Sequence, residues 1–172
     1  SQYSMKVYNQ FRGQSADADS ASTGISGRII WVGDSRTVGM QSAITEGNNK
    51  WICSVGKGYN WFVNTAINTV NKSLKDTDTI VVNLGVNDIG NYEKYTNKFN
   101  ALIDSEWKKA KSVVVMSVNP VDEAKCAGNY AIKNNQIEKF NAYLKKNLRR
   151  KVVYVDTYTA LIGNIQTDDG LH

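Results

Sequence analysis

The sequence is short of the residues that several classes of function need. It holds one histidine, His172, and two cysteines, Cys53 and Cys126. The cysteines form no CxxC pair, and a single histidine leaves no cluster with zinc-ligand spacing, so neither a metal nor another cofactor is expected. No apolar run approaches the roughly 18–20 residues that a membrane span requires. The opening residues, SQYSMKVYNQ, lack the basic start and apolar stretch of a signal peptide. A leader or a larger upstream region removed earlier is compatible with such a start. There is no internal repeat. No nucleic-acid-binding motif accompanies the net charge of +5, so a nucleic-acid partner is not expected.

What is present suits one globular domain. The chain has 172 residues, of which 41% are hydrophobic and 22% charged, enough for a substantial core. The basic excess is scattered, with small clusters at Lys108–Lys111 and Lys145–Lys151. These read as solvated helix faces, or alternatively as attraction to an anionic surface such as bacterial cell wall. The two thiols read as free. A single disulfide is the alternative, and it would fit a secreted protein.

Residues Ser15 to Gly27, SADADSASTGISG, are small and polar, and residues 1–27 are expected to form a flexible arm or linker. The apolar side chains Tyr3, Val7, Tyr8 and Phe11 are those through which such an arm could dock instead. From Arg28 onward, strand-like runs alternate with helical patterns. The runs are Arg28–Val32, Trp51–Val55, Thr79–Leu84, Ser112–Val118 and Lys151–Asp156. Several are nearly continuous and β-branched, as in strands covered on both faces. Between them, Phe62, Val63, Ala66, Ile67, Val70 and Leu74 share a helical face. So do Tyr95, Phe99, Leu102, Ile103 and Ala110, with Trp107 nearby, and then Ile137, Phe140, Tyr143, Leu144 and Leu148. This order implies a three-layer α/β/α fold, with five parallel strands in the flavodoxin-like order 2-1-3-4-5. In such a fold the site lies beyond the C-terminal ends of the strands.

Three polar segments follow the first three runs, and a fourth closes the chain. Gly33-Asp34-Ser35-Arg36 comes first. Ser35 there is either a helix N-cap or a hydroxyl presented at the top of the sheet, next to helix N–H groups that suit an oxyanion. Gly56-Lys57-Gly58-Tyr59 comes second. Gly85-Val86-Asn87-Asp88 is either a plain turn or the source of a neutral side-chain donor, Asn87. Last is Asp169-Gly170-Leu171-His172. His172 is the only side chain normally poised to take a serine's proton near pH 7, and Asp169 is close enough to orient its ring.

Together these segments resemble the SGNH (GDSL-like) hydrolase family, whose four blocks carry Ser, Gly, Asn and His in that order. The resemblance runs from Arg28 to His172. The GxSxG elbow of the α/β-hydrolases is absent. The resemblance implies a Ser35–His172–Asp169 triad and an oxyanion hole made of the Ser35 N–H, a glycine N–H and the Asn87 side chain. Gly58 is preferred over Gly56 for the glycine, and Asp34 is read as structural support. Family members usually continue into a terminal helix after the histidine, so the domain over 28–172 reads as one shortened at that helix.

The resemblance also implies a carboxylic ester hydrolase acting on acyl esters. No long lid is evident, which favours small acyl groups, as in a carbohydrate or cell-wall O-acetyl esterase. Tyr59 and Trp61 either line the pocket or staple the next helix to the core. Arg36 either contacts an anionic substrate group or faces solvent. Residues 120–129 should border the site. A monomer is expected, secreted or wall-associated, with a cytoplasmic location as the alternative. The competing function is a non-catalytic cell-wall or glycan-binding module that keeps the fold.

Overall fold

The computed structural model describes residues 1–18, 27–126 and 131–172. Helix α1 (Gln2–Ala18) precedes strand β1 (Ile29–Gly33), helix α2 (Ser35–Ala43) and strand β2 (Asn49–Cys53). Helix α3 (residues 59–73) follows, with a π-type turn at Phe62–Ala66, and then strand β3 (Thr79–Asn83). A 3₁₀ turn at Val86–Asp88 leads to α4 (Tyr92–Ile103) and β4 (Ser112–Met116). The chain closes with α5 (Asn134–Asn147), β5 (Val152–Val155) and α6 (Thr157–Leu161). All five strands are parallel, in the order β2-β1-β3-β4-β5. That is the expected sheet.

Successive strand residues point to opposite faces, and each face has its own core. On one, Ile30, Val32, Ile80, Val82, Val113 and Val115 pack under α3, α4 and α5. Phe62, Tyr95, Phe99, Trp107 and Phe140 form a chain of tilted, stacked and edge-to-face ring contacts there. On the other face, Ile29, Trp31, Val81, Val114, Met116 and Val155 meet Met40 of α2, Leu161 of α6, and Tyr3, Val7 and Phe11 of α1. The central strands β1 and β3 are wholly buried, as their unbroken apolar runs require.

The flexible-arm reading of residues 1–27 does not hold for residues 1–18. They form a helix that packs on α2, α6 and β5. The cause is the i, i+4, i+8 spacing of Tyr3, Val7 and Phe11, a narrow stripe on an otherwise polar helix. Helices α2 and α6, of 9 and 5 residues, are short, and α1 completes the cover of this face. Polar ties add to it. Tyr3 Oη donates to Pro120 O at 2.5 Å, Gln14 Nε2 to Asp156 O at 2.8 Å and Lys6 Nζ to Asn164 O at 3.2 Å. The small polar run at 19–26, which prompted the linker reading, lies outside the described residues.

The second strand starts at Asn49, two residues before the expected start at Trp51. Asn49 is a poor strand former, but its carboxamide oxygen accepts from the Trp31 indole at 2.9 Å, which fixes it on the edge. Cys53 and Cys126 are free thiols, as expected. Among the described residues no helix is long and apolar enough to cross a membrane.

Phe11 is fully buried, with its ring edge-on to Trp31 at 5.0 Å. Phe11→Ala should therefore destabilise the whole domain by about 3 kcal/mol or more, read from denaturant unfolding. A change near zero would mean that α1 does not dock in solution.

Candidate active site

Parallel strands end on one edge of the sheet, and the polar segments gather there. After β1 the chain turns at once into α2. The residue that caps this helix is Asp34, whose carboxylate accepts from the Arg36 N–H at 3.0 Å. Ser35 is then the first helical residue, relieved of the capping role it could have had. Its hydroxyl lies 2.7 Å from His172 Nε2. His172 Nδ1 lies 2.6 Å from Asp169 Oδ2. A carboxylate only accepts, so Nδ1 carries the proton and Nε2 is free to accept from Ser35.

The loop holding His172 is organised by the same aspartate. Asp169 Oδ1 accepts from the backbone N–H groups of Leu171 and His172, at 2.9 and 2.8 Å. Burial pushes this carboxyl upward. The His172 hydrogen bond, the two amides and the His172 charge outweigh that and hold it down at about 2. Gly170 is in the left-handed region (φ 89°), and a Cβ there would meet Cys126 Sγ at 2.5 Å. Asp122 N–H donates to Gly170 O at 2.9 Å, and Lys125 Nζ donates to Thr167 O. The loop after β4 thus borders the histidine segment as expected, with residues 127–129 outside the described ones.

Asn87 is exposed at the start of the turn after β3, and its amide donates to Lys57 O at 3.0 Å. The neighbouring Asp88 accepts from Tyr59 N–H (2.7 Å), Asn91 Nδ2 (3.1 Å) and Tyr95 Oη (2.8 Å). Residues 87 and 88 therefore grip the peptide on either side of Gly58. A Cβ on Gly58 would lie 2.6 Å from Asp88 Oδ2, so only glycine fits. Gly56 differs: its φ of 75° favours glycine, but the space around it is open. In the sequence Asp88 reads as a turn residue. Its organising role shows only once Tyr59 and Tyr95 are brought to it.

Arg36 does not face solvent or a substrate. It is buried, and its guanidinium donates to three carbonyls: Leu171 O at 3.1 Å, Asn119 O at 2.6 Å and Pro120 O at 3.0 Å. A guanidinium so buried and held by three carbonyls is not presented to an anion at the surface, which speaks against its assignment to substrate binding. Tyr59 packs edge-on to Tyr95 at 5.3 Å, and Trp61 is half-buried against the core. Both rings are partly exposed and pack against the core, with Lys94 Nζ 5.9 Å from the Tyr59 centroid.

Asp34 is almost fully buried. Burial lifts its carboxyl to about 6, against the lowering effects of the Arg36 charge, the Arg36 N–H and His172. Its folded value thus exceeds the ordinary 3.8. Between about pH 4 and 6 the folded chain holds more protons than the unfolded one, so this group's contribution to stability falls as pH rises through that window. Asp34→Asn keeps the capping oxygen and removes the titration. Urea midpoints should therefore shift in the variant's favour between pH 4.5 and 6.5. A pH-independent difference between the two proteins would refute the buried carboxyl.

No protein-family model and no curated protein matches the sequence. Solved structures do match. A member of the lipolytic G-D-S-L family from Veillonella parvula is 20% identical, with 84% of this chain and 88% of that one covered and a TM-score of 0.57. A variant of an acetyl-xylooligosaccharide esterase from Geobacillus stearmophilus is 12% identical, with 87% of each chain covered and a TM-score of 0.60. The C-terminal catalytic domain of peptidoglycan O-acetyltransferase A from Streptococcus pneumoniae is 21% identical, with 86% and 81% covered and a TM-score of 0.52. This chain therefore has the three-layer α/β/α fold of the SGNH (GDSL-type) acylhydrolases and esterases.

Proposed function

We propose that this chain is a serine esterase of the SGNH type that hydrolyses small acyl esters. One observation carries the reading: the unbroken line from Ser35 Oγ to His172 Nε2 (2.7 Å) and from His172 Nδ1 to Asp169 Oδ2 (2.6 Å). A binding module has no need of a hydroxyl held against an imidazole that a carboxylate orients.

In this mechanism Ser35 Oγ attacks the ester carbonyl while its proton passes to His172 Nε2. Asp169, ionised down to about pH 2, stabilises the imidazolium. The carbonyl oxygen gains negative charge and is met by the N–H groups of Ser35 and Gly58 and by the Asn87 amide. The C–O bond to the alcohol then breaks, and His172 returns the proton to the departing oxygen. Water, deprotonated by His172, attacks the acyl-serine and releases the acid. His172 hands the proton back to Ser35.

The shape of the site supports a substrate class. The side chains of His172 and Asp169 are 40% and 56% exposed, so the catalytic groups sit on an open rim and not at the end of a tunnel. An open rim suits a short acyl group carried on a bulky alcohol, such as an O-acetyl group on a cell-wall or plant-type glycan. The names of two similar structures, an acetyl-xylooligosaccharide esterase and a peptidoglycan O-acetyltransferase, support that choice.

The test is hydrolysis of p-nitrophenyl acetate and of acetylated oligosaccharides. Ser35→Ala and His172→Ala should each lower kcat by about 10⁴-fold or more. Asn87→Ala should lower it by about 10²–10³-fold. His172→Ala should stay folded, because the His172 side chain is exposed and belongs to neither core cluster. Equal turnover by parent and His172→Ala would refute the mechanism.

A further inference from the structure

Two bridges join the nucleophile helix to the histidine loop, and the mechanism uses only one. The first is Ser35 to His172. The second runs beside it, one residue over on each side: Arg36 Nε donates to Leu171 O at 3.1 Å. The same guanidinium reaches the turn after β4, through Asn119 O at 2.6 Å and Pro120 O at 3.0 Å. That turn is itself pinned. Asn119 Oδ1 accepts from Thr157 Oγ1 at 2.5 Å, and Thr157 Oγ1 lies 3.2 Å from Ser117 Oγ. Helix α1 closes the arrangement from outside. The Tyr3 ring lies 5.7 Å from the guanidinium carbon, and its hydroxyl donates to Pro120 O at 2.5 Å. Tyr3, Ser4, Val7, Arg36, Leu171 and His172 line one narrow crevice.

From this geometry, and resting on the esterase reading, we propose that Arg36, braced by Tyr3, is a positioning residue that holds His172 at Ser35. Arg36 touches no reacting atom. A planar fork with donors on three nitrogens suits three carbonyls on two separate loops, which a single ammonium cannot span together. The charge is buried among neutral oxygens, with the Asp34 carboxyl close by to offset it. Without the fork, the Ser35–His172 bond would be the one remaining bridge of the two between the nucleophile helix and the histidine loop. A displacement of about 1 Å at the base is enough to cost about 10²-fold in rate.

The experiment compares Arg36→Met, Arg36→Lys and Tyr3→Phe with the parent, reading kcat, KM and hydrogen exchange over residues 167–172. Arg36→Met should lower kcat by about 10²-fold with KM changed less than about threefold, since substrate contacts are untouched. Exchange over 167–172 should quicken. Arg36→Lys should fall between it and the parent, and Tyr3→Phe should show a smaller loss of kcat in the same direction. Retention of kcat within about twofold in Arg36→Met, or a loss of kcat with exchange unchanged, overturns the proposal. If Arg36→Met does not fold, Arg36→Lys and Tyr3→Phe decide by the same readouts. If the parent itself lacks esterase activity, the esterase reading falls. Exchange over 167–172 then decides the clamp alone, with quickening supporting it and no change overturning it.

Discussion

A sheet of parallel strands has two apolar faces, and neither can be left to water. That requirement organises this molecule. Helices α3, α4 and α5 cover one face with a dense set of aromatic rings. The other face carries Trp31, Val81, Val114 and Met116. Helices α2 and α6 are too short to cover it, and Tyr3, Val7 and Phe11 of α1 fill the remainder. Burying Phe11 and Val7 releases several kcal/mol of hydrophobic free energy by ordinary area scaling, and that outweighs the weak helix propensity of a polar segment. The N-terminal helix is therefore part of the domain's core.

The same topology decides where chemistry can occur. Parallel strands bring every strand-to-helix turn to one edge, so segments far apart in sequence meet without special contrivance. Local devices then sharpen the meeting. Asp34 takes over the cap of α2 and leaves the Ser35 hydroxyl to His172. Asp169 fixes both the ring of His172 and the amides that carry it, so one carboxylate orients the side chain and its backbone together. Residues 87 and 88 fasten the turns after β2 and β3 to each other around Gly58.

Much of this was legible in the sequence because the signals were local. RIIWV and TIVVNL announce buried strands, and Ser35, Asn87, Asp169 and His172 stand in short segments whose order is informative. The contacts that were not legible are long-range. Arg36 looks like any surface arginine until carbonyls 83, 84 and 135 residues away converge on it. The α1 stripe is only three large side chains deep, and Ser4 and Ser15 share its buried side, so its periodicity was faint. The small polar residues that follow it carry a linker's composition, which masks the stripe's signal. The second strand began late on paper because Asn49 has poor strand propensity, and its bond to Trp31 cannot be seen in one dimension.

Trp31 lies where the N-terminal helix, the first strand and the second strand meet. Its indole stacks on Trp51 at 5.1 Å with the rings 10° apart, while Phe11 and Tyr8 close on it at 5.0 and 5.9 Å. Two indoles in parallel contact couple electronically, and burial shifts tryptophan emission to shorter wavelength. Departure of the helix would open one side of this pair to water. The protein thus carries an intrinsic optical gauge at the junction between its first helix and its sheet.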